Sequence, residues 1–508
     1  MAKNPPQSFE VSSLRSMVDT YLDKKSVMSA MFYADLLVSF SDDAEDYYRQ
    51  ANCFFFNREY KRTISLLQRQ GLTKSHAKSL HLAAFCHLEL SEWDECIEIL
   101  SGAFSMPSMR ADYCLLRGKA HLALEQRNQA KAQWLEALAA DPKCIEAYDL
   151  LQSNSMITVE ETVSLLNSLK YTEEDSVLKG ILLAHIAKYN KSPQKHFTQL
   201  KNNYALEKSA LVQYLQADSL YYNYNFQQCF QITNQIMKED PYNHGNALLL
   251  HISSMAELQK KNELFLCSHQ LSELMPDSAL TFYAIGAYYY CIKSYDKARV
   301  YFSKATTNEP NFVHAWIGYG HIFALQDEHD QAMAAYRAAF RLTSNHMPPL
   351  CIGMELVRVK NFAQAEHFLS QAMKSNKSDP LVWNELGVIA LETKEYQKAI
   401  ELFQKAISLC GDQISDIWEA TFTNLGHAQR KMRMYNEAIE SYQKALNLAP
   451  KEAKIKASIF SSLGFTRHLT GDLESAITYY HQSLGYNPND RFTLDVLASA
   501  ISAFDIPF

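Results

Sequence analysis

Side chains capable of covalent or metal chemistry are present in this sequence, but their spacing does not assemble them into a reacting site. Ten cysteines are scattered over 508 residues, and no two are closer than Cys86 and Cys96. Neither the CxxC spacing of a zinc knuckle nor a disulfide framework is spelled out, and reduced thiols suit the cytosol or nucleus. His314 and His321 stand seven apart on one face of a predicted helix. They read as polar lining residues rather than metal ligands. No HExxH, GxSxG, Walker or GxGxxG motif occurs. No catalytic residue, metal or cofactor is therefore expected. The net charge is −7, and the longest basic run is Arg430, Lys431 and Arg433. A polyanion needs clustered cations, so that run reads as a solvated helix edge and no nucleic-acid partner is expected. Ser192-Pro193, inside the polar segment 188–196, reads as a loop rather than a modification site. The first ten residues are polar and carry two prolines, and no apolar run reaches the roughly 18 residues of a membrane span. An intracellular chain, in nucleus and cytoplasm and away from membranes, is the expectation.

The elements that would position such residues come from a pattern recurring every 34 residues. Its clearest copies lie between Ala279 and Leu342. One holds Phe282, Ile285, Gly286, Tyr289, Ala298, Phe302 and Ala305. The next holds Trp316, Tyr319, Gly320, Phe323, Ala332, Tyr336 and Ala339. Large residues at repeat positions 4, 7 and 11 share one stripe of a first helix, and those at 20, 24 and 27 share one stripe of a second. Positions 8 and 20 are small because the paired helices approach closely there. This is the tetratricopeptide pattern, and it predicts an all-α solenoid, a right-handed superhelix of helix-turn-helix repeats. With 15 glycines and 14 prolines, the composition suits an all-α chain.

Laid from the N-terminus, the same ruler predicts repeats starting at Val11, Ala44, Ala77 and Ala111, which makes 11–143 an N-terminal array. The register is lost over 144–209, an irregular helical linker in which Thr158 and Glu161 form a capping box. It resumes at Ala210 and Gly245 and runs through 490 as a second superhelix. Gly411 to Ser415 lengthen one turn, and the Ala457 repeat starts four residues late. Residues 491–508 supply a closing helix and tail.

Stacked first helices should line the inner groove through positions 2, 5, 9 and 12. Those positions hold Tyr283 and Tyr290, then His314 and His321, then Met354. Further along they hold Asn384, then Thr423, His427 and Arg430. Aromatic, amide and apolar groups together suit an extended peptide, which needs hydrogen bonds and side-chain pockets at once. A chaperone-tail adaptor would hold a C-terminal carboxylate with a basic residue at position 5 and Asn at position 9. No repeat has that pair; Leu115/Lys119, Asn384/Val388 and Thr423/His427 stand there instead.

The stretch Tyr301 to Phe340 resembles the cell division cycle protein 16 family, the tetratricopeptide subunits of the anaphase-promoting complex. The resemblance is carried by Ala315-Trp316, Gly320-His321 and the run Glu328 to Tyr336. It extends to Leu116-Arg117-Gly118-Lys119, Glu146 to Leu151, Tyr221 to Pro241 and Asn424-Leu425-Gly426-His427. It implies a non-catalytic scaffold in a ubiquitin ligase of the cell cycle, in contact with other subunits of that complex. It also implies a homodimer through the N-terminal repeats and a C-terminal superhelix enclosing the N-terminal segment of a small partner, cell division cycle protein 26. A peptide-binding adaptor or co-chaperone outside the complex is the alternative. Several members carry a long insertion before the segment matching Leu115 to Lys119, whereas here the repeat step is a bare 34 residues. The dimer contact is expected at Phe54, Phe55 and Phe56, because three adjacent phenylalanines cannot all face one helix's core.

Overall fold

The computed structural model describes residues 11–102, 109–154, 156–172, 175–186, 197, 200, 206, 209–241, 245–343, 345–410, 416–448 and 452–504. Ser192-Pro193, most of the junction before Ala111 and the lengthened turn from Gly411 to Ser415 lie outside them. Among the described residues every regular element is a helix, and the helices pair into antiparallel hairpins stacked in chain order. The fold is an all-α tetratricopeptide solenoid.

Two compact units divide the chain, 1–157 with 164–172, and 158–163 with 173–508. In the first unit the hairpins are Val11–Asp23 with Val27–Phe40, Ala44–Phe56 with Tyr60–Arg69, Ala77–Glu89 with Trp93–Ser101, and Arg110–Ala123 with Arg127–Ala140. Their cores hold the residues at the ruler's positions, among them Leu14, Ala30, Leu37, Ala51, Leu67, Cys96, Leu100 and Trp134, all fully buried.

The second unit opens with Ala210–Tyr222 paired to Phe226–Glu239 and Asn246–Glu257 paired to Lys261–Leu274. Ala279–Cys291 with Tyr295–Asn308 and Val313–Leu325 with His329–Leu342 follow. Met347–Arg358 with Phe362–Ser375 and Pro380–Glu392 with Tyr396–Leu409 come next. The last hairpins are Glu419–Lys431 with Tyr435–Asn447 and Ala453–Leu469 with Leu473–Tyr486, before the closing helix Arg491–Phe504. The four-residue delay at the last repeat is absorbed by starting its first helix early, which makes that helix 17 residues long. The capping box forms: Thr158 N–H donates to Glu161 Oε2 at 3.0 Å, and Glu161 N–H to Thr158 Oγ1 at 3.2 Å.

Two local rules make each hairpin. The turn between its helices carries one residue in the left-handed region, at Lys25, Arg58, Ser91, Glu125, Tyr224, Gln259, Lys293, Asp327, Lys360, Lys394 and Arg433, with Gly471 last. That conformation lets two N–H groups turn back onto carbonyls of the first helix, as in Lys293 to Tyr290 at 3.0 Å and Ser294 to Tyr289 at 2.9 Å. The second rule is close approach at position 8. A Cβ on Gly320 would lie 2.4 Å from the Tyr336 ring, so only glycine lets the two helices meet with an aromatic between them.

Candidate peptide-binding groove

The first helices of the second unit carry the predicted lining residues, and the structure sorts these by how much of each side chain is already committed. Tyr283 is 9 % exposed and its hydroxyl sits 3.1 Å from Ser253 Oγ on the preceding first helix, so it ties neighbouring repeats together. Thr423 donates to Glu419 Oε1 at 2.9 Å. Asn384 is also 9 % exposed; its Nδ2 donates to Glu385 Oε1 at 3.0 Å, and its Oδ1 accepts from Thr421 Oγ1 at 2.8 Å. Its oxygen and one N–H are thus engaged by the wall, because the next first helix brings Thr421 into reach. Met354 is partly buried against the cluster around Leu350 and Leu369. His314 is exposed near its helix's N-terminus, beside the Phe312 ring.

His321 and His427 keep a group to offer. Each follows the position-8 glycine, and each Nδ1 lies 2.8 Å from a tyrosine hydroxyl of its own repeat's second helix, Tyr336 and Tyr442 respectively. The other ring nitrogen makes no hydrogen bond to a described residue. Both rings retain solvent access, yet desolvation by the surrounding wall pushes both pKa values down to about 4, and nearby cations add to the shift. Both imidazoles are therefore neutral at physiological pH. A neutral ring with one nitrogen fixed by a tyrosine presents the other in a defined orientation. Tyr290 is partly buried, its phenol pushed up to about 12 by desolvation. Arg430 lays its guanidinium 4.9 Å from the centre of the Phe465 ring.

Charged groups that the position-2, 5, 9 and 12 ruler missed also border the groove. Glu385, at position 6, is partly buried, and desolvation lifts its carboxyl to about 7 although Asn384 and Arg358 pull it down. Glu257 and Arg358, at position 13, end their first helices and are exposed. The wall reached by solvent thus extends beyond the four ruled positions. Two acids at the groove disfavour an incoming carboxylate, in line with the missing clamp pair.

A further set of residues joins distant repeats of the second unit. The turn after Ala210–Tyr222 meets the loops before Met347–Arg358, Pro380–Glu392 and Glu419–Lys431. Tyr224 donates to Asp379 Oδ1 at 2.9 Å, Asn345 Nδ2 donates to the Tyr222 hydroxyl at 3.1 Å, and the Tyr224 and Trp418 rings meet edge to face at 5.5 Å. His346 Nε2 lies 3.0 Å from Asp379 Oδ2, both side chains almost wholly buried. Apart from His346 with Asp379, which stand one repeat step apart, these contacts join residues more than a hundred positions apart, and the 34-residue pattern carried no signal for them.

In the first unit the three phenylalanines part company. Phe54 is 5 % exposed, inside the chain's own packing with Arg62 over its ring. Phe55 packs edge to face on Phe85, and Phe56 is 55 % exposed. Met28, Phe32 and Phe40 on the preceding hairpin are more than half exposed as well. All ten cysteines are free thiols, and burial pushes Cys53, Cys86, Cys96, Cys229 and Cys351 up to about 12. Among the described residues no group of three or more histidine, cysteine or acidic side chains could hold a metal, and no helix is long and apolar enough to cross a membrane.

Residues 23–103 match the model for anaphase-promoting complex, cyclosome, subunit 3, and residues 292–346 and 379–451 match tetratricopeptide repeat models. Anaphase-promoting complex subunit 6 of Arabidopsis thaliana is 37 % identical over 97 % of this chain and 96 % of its own length. The cell division cycle protein 16 homolog of Homo sapiens is 35 % identical over 97 % of this chain and 84 % of its own. The crystal structure of the hetero-tetramer Cut9-Hcn1 superimposes with a TM-score of 0.84 at 32 % identity, covering 97 % of this chain and 96 % of that one. Identity at this level across nearly the whole solenoid places the chain in the family of anaphase-promoting complex subunit 6, the cell division cycle protein 16 homologs.

Proposed function

We propose that the chain is a non-catalytic scaffold within the anaphase-promoting complex, and that its second unit holds the N-terminal segment of a small partner, cell division cycle protein 26, along its first helices. The observation that carries this is the likeness over nearly the full length of both chains to a relative solved as Cut9-Hcn1. The groove chemistry supports it: two neutral histidines with a nitrogen to spare, partly buried aromatics and flanking acids suit a basic extended peptide better than a carboxylate-tailed one. The buried thiols, held protonated, make poor nucleophiles for ubiquitin transfer. Native co-purification tests the reading. Recovery with ubiquitin-ligase subunits and the small partner supports it, and recovery with chaperones alone favours the adaptor.

The first unit is proposed to pair with a second copy through exposed apolar residues of its first two hairpins, Phe56 with Phe32 and Met28. Four chains drawn from two named components, as in the Cut9-Hcn1 hetero-tetramer, require that at least one component be present more than once. Burial of an exposed Phe contributes about 1.5–3 kcal/mol. Sedimentation of the full chain at micromolar concentration should show a dimer, and Phe56→Asp with Phe32→Asp should shift it to monomer.

A further inference from the structure

The second helix Tyr295–Asn308 carries Lys297, Val300, Tyr301 and Lys304 at spacings of three and four, so they share one stripe of its surface. With Tyr289 of the paired first helix and Asp296, that stripe lines a recess of about 410 Å³. The Tyr289 and Tyr301 rings stack on each other at 5.5 Å with their planes 15° apart, and both remain partly exposed. They form one aromatic floor, beside which Val300 is 52 % exposed. Lys297 Nζ stands 5.4 Å from the centre of the Tyr289 ring, and Lys304 Nζ stands 5.3 Å from that of Tyr301.

The polar groups around this floor are mostly unspent donors. Neither ammonium pairs with a carboxylate among the described residues, and neither phenol hydroxyl makes a hydrogen bond to one. At these distances a ring face holds an ammonium in place without taking its N–H groups. Asp296 is the exception, an exposed carboxylate whose Oδ1 already accepts from Gln326 Nε2 at 3.0 Å. The repeat itself does not require this set. The next one folds with Ala334, Ala335 and Ala338 where Val300, Tyr301 and Lys304 stand. The hairpin of Pro380–Glu392 and Tyr396–Leu409 has lysines at the same two positions, Lys398 and Lys405. There Lys398 pairs with Glu395 at 3.0 Å, and Ala390 and Glu401 replace Tyr289 and Val300, so an aromatic floor and free cations do not coincide.

We infer that this recess is a docking site for an acidic segment of a partner protein, with one apolar side chain on the Tyr289 and Tyr301 floor and carboxylates reaching Lys297 and Lys304. Charge complementarity selects that occupant. Unspent ammonium and hydroxyl donors around an apolar floor call for acceptors, and a carboxylate supplies both the lone pairs and the opposite charge. Seven residues of helix separate the two lysines by about 10 Å, which an extended chain covers in about three residues. The site lies apart from the peptide groove, whose lining comes from positions 2, 5, 9 and 12 of the first helices, and it does not depend on that reading.

The test uses the full-length chain and saturation-transfer NMR with the end-blocked tetrapeptide Glu-Ala-Phe-Glu and its neutral counterpart Gln-Ala-Phe-Gln. The acidic probe should bind through its phenyl ring and the neutral one should not. Lys297→Gln with Lys304→Gln should weaken the acidic probe about ten-fold, and Lys398→Gln with Lys405→Gln should leave it unchanged. All four lysines are exposed, and circular dichroism checks that each variant keeps an intact array. Equal binding of the two probes overturns the inference, as does wild-type binding by the Lys297 and Lys304 variant. An equal loss in both double variants also overturns it, because diffuse surface charge would then explain the binding. A second arm compares sedimentation of wild type and the Lys297 and Lys304 variant at micromolar concentration. Unchanged association supports a separate partner, whereas a shift toward monomer gives the recess to a second copy of this chain and overturns the assignment.

Discussion

Tyr224 donates a hydrogen bond of 2.9 Å to Asp379, 155 residues further along the chain, from a backbone position that tyrosine rarely adopts. Its φ is 59°, in the left-handed region where a bulky side chain is strained by about 1–2 kcal/mol. The strain is part of the hairpin turn, and it aims the ring at Trp418 and the hydroxyl at a carboxylate that also accepts from Leu381 N–H and pairs with His346. Repeats that are neighbours neither in sequence nor in the stack are thereby fastened. The span between them includes the first helices that carry Glu257, Tyr290 and His321.

Removing only that hydroxyl, in Tyr224→Phe, leaves the Asp379 carboxylate one donor short at a position 2 % exposed. The expected cost is about 1–3 kcal/mol. Because solenoids open locally, it should be read by hydrogen exchange as faster opening around Tyr222, His346 and Asp379, with residues 11–140 unchanged. Uniform acceleration over the whole chain would contradict a local fastening.

The histidines set a pH dependence. His321 and His427 titrate near 4 in the folded chain, below the ordinary value of 6.5, so the unfolded chain binds more protons between those limits. Their contribution to stability is full above about 6.5 and is lost as the pH falls toward 4. Glu385 acts in the opposite sense: its folded pKa of about 7 lies above the ordinary 4.5, so its contribution is full below 4.5 and lost as the pH rises through 7. Denaturation midpoints of His321→Gln with His427→Gln should fall less steeply from pH 6.5 to 4 than wild type. Glu385→Gln should flatten the loss between pH 4.5 and 7.

Close approach predicts opposite outcomes for two glycines. Gly320→Ala places a methyl group 2.4 Å from the Tyr336 ring and displaces the hydroxyl that fixes His321. Overpacking of this kind costs about 1–3 kcal/mol. Gly485, inside Leu473–Tyr486, has open space where a Cβ would stand. Gly485→Ala should stabilise by about 0.5–1 kcal/mol through helix propensity alone, so thermal midpoints moving in opposite directions are the expected result.

What the sequence disclosed follows from the range of each contact. Phe302 against Gly286, Tyr336 against Gly320 and Tyr442 against Gly426 meet within one hairpin, where the turn fixes their register, so a 34-residue ruler finds them. Phe54 and Phe56 are also separable by periodicity, since two residues of helix turn one ring inward and the other out. The fastening of Tyr224 to Asp379 leaves no periodic trace, because it depends on the accumulated rotation of several repeats rather than on any one. Asn384 shows the same limit: it stands at a predicted groove position, and the bond that Thr421 from the next first helix makes to its oxygen lies beyond what the ruler registers. Glu257 and Glu385 escaped a ruler confined to four positions per helix, although desolvation raises both carboxyls.

The central claim is that the first helices of the second unit hold the small partner's N-terminal segment. Its most direct test is the affinity of the full chain for the N-terminal peptide of cell division cycle protein 26, compared among wild type, His427→Ala and His481→Ala, the last an exposed histidine on a second helix. Loss of the groove hydrogen bond in His427→Ala should weaken binding by about 1–3 kcal/mol, with His481→Ala matching wild type. Equal affinity in all three, with helical content intact, would contradict the assignment of this face.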